Sequence, residues 1–195
     1  HCILGERLFN DKNPSVVFKM LSLSKKVIDL CKGNNEGINV DILTGGLSRM
    51  IPTLLTRTGD NNRNVRDKVT AYLVELGNTS FGPSFVFKNV MEYEKTVKSI
   101  KSICGVSILM KLLLEKYGFK KENNVSYKTV MTMAVADLKH ANPDVRTCAI
   151  NLCTITYYKQ GPKIEQHLVG VKLSTLQVLQ ESILKYTNEH KTPKM

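Results

Sequence analysis

The sequence predicts an all-α fold, a short α-solenoid of HEAT-like helical hairpins. Three observations predict it. Apolar residues recur at steps of three and four along most of the chain, the spacing of one helix face. The turn Thr58-Gly-Asp-Asn-Asn-Arg-Asn-Val-Arg66 lies between two such stripes, and a partial copy, Ala141-Asn-Pro-Asp-Val-Arg146, lies between two more. Strand-like alternation never persists beyond a few residues. A turn that recurs between paired helices signals a repeat array, in which a row of loops rather than a pocket usually carries the function.

The elements follow in order. Leu4 and Leu8 lead to Asn10-Asp-Lys-Asn-Pro-Ser-Val16, after which Val17, Leu21, Ile28 and Cys31 stripe a longer helix. Leu43, Leu47, Met50, Ile51 and Leu54 form one helix face, and Val65, Val69, Tyr72, Leu73 and Leu76 form the next. Gly77 closes that second helix as a C-terminal cap, and Gly82-Pro83 forbids its return. Tyr127, Val130, Met131, Ala134 and Leu138 lead into the later turn. Val145, Ala149, Leu152 and Cys153 follow it, until Gly161-Pro162.

Val16, Val65 and Val145 hold equivalent places, with spacings of 65 − 16 = 49 and 145 − 65 = 80. The second spacing is close to twice a period of about 40, as in HEAT helix pairs. It predicts a degenerate unit between them. Val90 to Val97, a break near Lys98, then Ile103, Val106, Met110, Leu113 and Tyr117 supply it. Ile164 to Leu168 and Leu173 to Tyr186 read as a closing helix pair. The connections Lys32–Gly37, Asn78–Ser84 and Gly118–Ser126 are rich in Asn, Gly, Ser and Lys and are expected to be mobile surface segments. Gly45-Gly46, inside a helical stripe, is expected to permit close helix packing or to mark a bend.

Composition bounds the reading. The 195 residues, 42% of them apolar, suffice for one domain over residues 1–195 with a real core. No window approaches the roughly 20 unbroken apolar residues of a membrane span. The chain opens at His1 with no signal peptide, so it is expected to be a cut-out piece of something longer. Five cysteines, Cys2, Cys31, Cys104, Cys148 and Cys153, form no C-x-x-C and fall mostly on apolar helical positions. That suits free thiols in a reduced intracellular compartment. With Lys+Arg 28 and Asp+Glu 17 the net charge is 28 − 17 = +11. A large acidic partner, either an acidic protein surface or nucleic acid, is the natural inference.

Within the turns, most polar residues have a structural use. Asn61, Asn62 and Asn64, and Asn142 and Asp144, can cap the helix that follows. Pro14 and Pro143 suit a helix start. Asp60 and Arg66 are spaced to join an interior ladder of charge pairs between neighbouring repeats. Asp11 keeps the acidic slot opposite Val17, and Arg146 keeps the basic slot opposite His140, so the ladder is incomplete and an unpaired Arg is freer to meet a partner. Arg63 reads as a long cation at a turn tip with no helix to stabilise, which makes it the best single contact candidate. Stacking the repeats brings Lys12, Arg63, Arg66, Lys95, Lys98, Lys101, Lys139 and Arg146 onto one edge, which can meet an acidic surface by complementarity.

Catalytic signals are thin. His1, His140, His167 and His190 lie in no metal-ligand spacing, so no metal and no cofactor are expected. There is no G-x-S-x-G, no Gly-rich phosphate loop and no paired-carboxylate motif, so no enzyme is expected.

Pro52-Thr-Leu-Leu-Thr-Arg-Thr-Gly-Asp-Asn-Asn-Arg-Asn-Val-Arg-Asp-Lys68 resembles the central HEAT unit of TOG (tumour overexpressed gene) domains, most closely those of the ciliary-tip centrosomal protein family. Phe9-Asn-Asp-Lys-Asn-Pro-Ser-Val-Val-Phe-Lys-Met-Leu-Ser-Leu23 resembles that family's second unit, and Ala136-Asp-Leu-Lys-His-Ala-Asn-Pro-Asp-Val-Arg146 its penultimate one. The resemblance spans nearly the whole chain. It implies binding of the curved αβ-tubulin dimer through the loops inside each helix pair, with no small-molecule substrate. It maps the contact loops to Asp11–Ser15, Asn61–Arg66, the region near Lys95–Lys98, and Ala141–Arg146 with Lys139 adjacent. The implied tubulin-binding residues are Lys12, Asn13, Asn62, Arg63, Arg66, Lys95, Lys98, Lys139, Asn142 and Arg146. The family often places a Trp in its first loop. This chain has no Trp, and its first residue enters at what resembles the second unit, so the first helix pair is expected to be missing.

The leading expectation is a monomeric, non-catalytic tubulin-binding module of the cytoplasm and cytoskeleton, at the cilium tip or centriole. The alternatives are a HEAT scaffold that binds another acidic protein or peptide on its concave face, and a nucleic-acid-binding HEAT-like protein. The last would need stacking aromatics beside a carboxylate, which a chain with 7% aromatics supplies poorly.

Overall fold

The structure, a computed structural model, describes residues 2–33 and 40–190, with side chains over 5–30 and 44–190. The Lys32–Gly37 connection lies largely outside the described residues, and Leu4, Cys31 and Leu43 lie outside those with described side chains. Helices dominate and the described residues contain no strand: α1 (Cys2–Phe9), α2 (Pro14–Gly33), α3 (Val40–Arg57), α4 (Arg63–Leu76), α5 (Gly82–Glu94), α6 (Ile100–Tyr117), α7 (Tyr127–Leu138), α8 (Pro143–Gln160) and α9 (Leu173–Glu189). α1 packs on α3 and α3 on α5 in one layer; α2 packs on α4, α4 on α6 and α6 on α8 in the other. Each hairpin, α1–α2, α3–α4, α5–α6 and α7–α8, closes on itself and stacks on the next, which is the solenoid the spacing predicts.

The stripes are the core. Val17, Leu21, Leu47, Ile51, Leu54, Val65, Val69, Leu73, Val90, Val106, Met110, Leu113, Val130, Met131, Leu138, Val145, Ala149, Leu152 and Cys153 are all buried. In the first hairpin burial slips by one place. Asn13 sits where Asn62 and Asn142 sit, so Val16 keeps the register of Val65 and Val145, yet Val17 is the enclosed residue and Val16 only half-buried. Val17 takes the place of Arg66 and Arg146; an apolar side chain there can turn into the core. α8 is enclosed on several sides by α6, α7 and α9. Its buried Thr154 and Thr156 satisfy their hydroxyls on the carbonyls of Ile150 and Leu152.

Several expectations need correction. Gly77 does cap α4 as expected, with an ordinary helical φ of −65° rather than a left-handed one. It is required because Tyr117 lies against it, and a Cβ there would meet the phenol at 2.7 Å. Tyr117 Oη donates to the Val74 carbonyl at 2.6 Å and so ties the far ends of α4 and α6. Gly45 has open space around its missing Cβ, so it permits no close helix approach. The closing pair is not two α-helices: Gly161–His167 is a run of 3₁₀ turns, and only α9 is regular. The Gly118–Ser126 connection is tethered rather than free. Asn123, buried within a short 3₁₀ turn, donates to the carbonyls of Tyr117 and Gly118, each at 3.0 Å.

Candidate functional site

Three of the inter-helix turns share one hydrogen-bond scheme. The backbone N–H of Asn13 donates to Asp11 Oδ1 at 2.7 Å, that of Asn62 to Asp60 Oδ1 at 2.7 Å, and that of Asn142 to His140 Nδ1 at 3.0 Å. Each asparagine then caps its helix: Oδ1 of Asn13, Asn62 and Asn142 accepts from the N–H of Ser15, Asn64 and Asp144. Two turns carry a further lock. Arg66 Nη1 donates to the carbonyls of Asp60 and Asn61, and Arg146 Nη1 to those of His140 and Ala141. The degenerate fourth member, residues 95–99, lacks this scheme; Ser99 caps α6 without a side-chain bond.

This geometry revises the ladder. Arg66 and Arg146 bind the carbonyls of their own turns, not an acid of the next repeat. The acid–base pair runs instead from Arg57 Nη1 to Asp60 Oδ2 at 3.0 Å, both largely enclosed. Arg57 Nη2 also donates to the Asp11 carbonyl at 3.1 Å and so fastens the first turn to the second. The second turn is fastened to the third hairpin. Lys101 Nζ donates to Asn61 Oδ1. A Cβ on Gly59 would strike the backbone of Lys101 and Ser102, and one on Gly105 would strike Thr58. At the far end Lys139 Nζ reaches the Val169 carbonyl at 3.3 Å. The first three turns therefore form one row, and Asp144, beside the fourth turn, lines the same groove as Asp60 and Lys101.

At the turns Lys12, Arg63, Lys95, Lys98, Lys101 and Lys139 are exposed, as are Asn13 and Asn62; Arg66, Asn142 and Arg146 are half-buried. Arg63 is not a turn tip without a helix. It is the first residue of α4, and its Nε lies 3.5 Å from Asp67 Oδ2. At 84% and 66% side-chain exposure that pair holds Arg63 only weakly. Sequence reasoning missed Arg57, Gly59 and Gly105. A glycine inside the apolar α6 stripe is the signal that marks a close approach; Arg57 carries no sequence signal beyond its place beside Asp60.

Behind the edge, Glu94 and Asp137 line a small recess with Ser107. Burial pushes both carboxyls above their ordinary range, and Asp137 lifts Glu94 further. Ser107 donates to Asp137 Oδ2 at 3.2 Å, which opposes the rise. Among the described residues no group of three His, Cys, Asp or Glu is placed to hold a metal, and no helix is long and apolar enough to cross a membrane.

No family model and no curated protein matches the chain. Solved structures do. A TOG domain described under "TOG-tubulin binding specificity promotes microtubule dynamics and mitotic spindle formation" superposes with a TM-score of 0.74 at 23% identity, over 93% of this chain and 65% of that one. The fold is that of TOG domains. The TOG domain of human Cep104 gives a TM-score of 0.72 at 21% identity, over 96% of this chain and 73% of its own. A structure described under "Crescerin uses a TOG domain array to regulate microtubules in the primary cilium" gives 0.73 at 16%, over 94% and 73%. The chain thus spans 65% of the length of the first of these TOG structures.

Proposed function

We propose that this chain is a non-catalytic module that binds αβ-tubulin along its turn edge. One observation carries the reading: successive hairpins bear exposed cations at their turns, and the first three of those turns are fastened to one another through Arg57, Lys101, Gly59 and Gly105. A pre-ordered cationic edge meets an acidic surface without the entropy loss of ordering loops on contact. The TOG fold, with one likeness described by its tubulin binding, supports tubulin as that surface.

In this reading Lys12, Arg63, Lys95, Lys98 and Lys139 contribute charge. Asn13, Asn62 and Asn142 use Oδ1 for the helix caps, which leaves their amide NH2 groups to donate to carboxylates. Arg66 and Arg146 shape their turns and offer their remaining N–H groups outward. The module works as a monomer in the cytoskeleton, at the cilium tip or centriole; the likeness to the Crescerin structure, described by its work on microtubules in the primary cilium, supports a ciliary place.

The test is size-exclusion chromatography of the chain with purified tubulin. The chain is expected to co-elute, and Arg63→Glu to abolish co-elution with helicity unchanged. Arg63 is the cleaner probe because Arg66→Glu would also break two turn bonds. Unchanged co-elution of the Arg63→Glu chain would overturn the reading.

A further inference from the structure

A groove of about 520 Å³ opens between α4, α6 and α8, with Ala71, Ile100, Ile108 and Leu112 among its lining. Two cysteines from different helices face into it. Cys104 lies in the second turn of α6 and Cys148 in the second turn of α8, and both line the groove. Both are half-buried free thiols, whereas Cys153, further along α8, is fully enclosed. α6 and α8 pack directly on one another, and each thiol acts on the ionisation of the other across the groove. Two half-buried thiols on packed helices, open to a small reagent through one groove, are the kind of pair a disulfide joins when their Cβ atoms come within about 4.5 Å.

We propose that Cys104 and Cys148 form a dithiol site that closes to an intramolecular disulfide by exchange with a small disulfide such as oxidised glutathione, Cys104 attacking first. The Cys104 thiolate attacks one sulfur of the reagent. The reagent S–S bond breaks, one glutathione leaves as thiolate and takes up a proton, and a mixed disulfide remains on Cys104. The Cys148 thiolate then attacks the Cys104 sulfur and expels the second glutathione. The protein loses two hydrogens and two electrons, and one reagent disulfide becomes two thiols.

The order follows from the surroundings. Burial pushes both thiols up, Cys148 to about 12. Their mutual influence lowers Cys104 and raises Cys148, while Asp137 and Asp144 raise both. Cys104 therefore holds the larger thiolate fraction and is the faster nucleophile. Both thiols are mainly protonated near neutrality, so the site responds to sustained rather than brief exposure to oxidant. The bond would lie one helical turn in from residues 95–99 and 139–142, and so would fix the spacing of those two turns. The chemistry stands whether or not the edge binds tubulin.

The experiment treats the chain, with Cys2→Ser and Cys31→Ser to remove background thiols, with oxidised glutathione at about pH 8, where more thiolate is present. Intact mass and a non-reducing peptide map are read over time. The expected product lacks two hydrogens and joins the Cys104 and Cys148 peptides. Adding Cys148→Ser should trap a glutathione adduct on Cys104. Adding Cys104→Ser should leave Cys148 modified at least about fivefold more slowly. Circular dichroism on each variant checks that the helices persist. A stable adduct on Cys104 while Cys148 is present, a bond from either cysteine to Cys153, or reaction only after unfolding in urea would each overturn the proposal.

Discussion

Asp60 and His140 hold the same bond: each accepts a hydrogen from the backbone N–H of the asparagine two residues on, at 2.7 and 3.0 Å. A carboxylate and an imidazole are thus interchangeable in the turn, because the turn asks only for an acceptor at that point. His140→Ala is expected to cost about 1 kcal/mol, the worth of one turn hydrogen bond with its partner left exposed, and Asp60→Ala more, because it also strands the largely enclosed Arg57. His140→Asn, which keeps an acceptor, should cost less than His140→Ala. Urea unfolding midpoints check both.

Gly105→Ala should be among the most damaging small changes in the chain. The added methyl would meet the Thr58 carbonyl and hydroxyl, and Thr58 is itself 2% exposed with its hydroxyl tied to Leu55. The backbone cannot retreat as a flexible side chain would, so a loss of about 2 kcal/mol or more is expected. A drop in Tm well beyond that of a surface Gly→Ala change at Gly45, where a methyl meets nothing, is the observable.

Arg57→Met removes the fastening between the first two turns. It strands Asp60 and frees the Asp11 carbonyl, which the guanidinium reaches at 3.1 Å. The side chain is largely enclosed, so a cost of about 2 kcal/mol is expected. Amide exchange in residues 10–13 should speed up more than in residues 139–142. Equal protection in the two turns would show that Arg57 does not join the first to the second.

Asp137→Asn should stabilise the protein at neutral pH. Burial raises the folded-state pKa of Asp137 above the ordinary 3.8. Between those two values the native state holds more protons than the unfolded one, so stability falls as pH rises through the window. The charge is thus a burden above the folded pKa and none below the unfolded one. Asparagine keeps an acceptor for Ser107 and removes that burden. The variant's advantage should be present at about pH 7 and vanish below about pH 4, measured by urea midpoints at both.

Salt should weaken tubulin co-elution if the cationic edge makes the contact. Raising ionic strength from about 0.05 to 0.3 M shortens the screening length and should reduce retention severalfold. Lys98→Glu, exposed and in the turn without the shared hydrogen-bond scheme, should lose binding with stability unchanged. Salt-insensitive co-elution would show that the cationic edge does not make the contact.

The sequence alone determined the helices, their pairing and the core. Apolar spacing reports which side of a helix leaves water, and Asn-x-x-Val marks where α2, α4 and α8 start, because capping chemistry is local. The place of the degenerate hairpin was readable for the same reason. Only the tertiary structure decided what the turn cations do. Arg57, Arg63, Arg66 and Lys101 are alike in the sequence, but one bridges repeats, one stands in solvent, one folds back on its own turn and one clasps a neighbour. A long flexible cation goes to whichever carbonyl, carboxylate or water the packed neighbours leave within reach, and that choice is set by contacts 40 or more residues away in the chain.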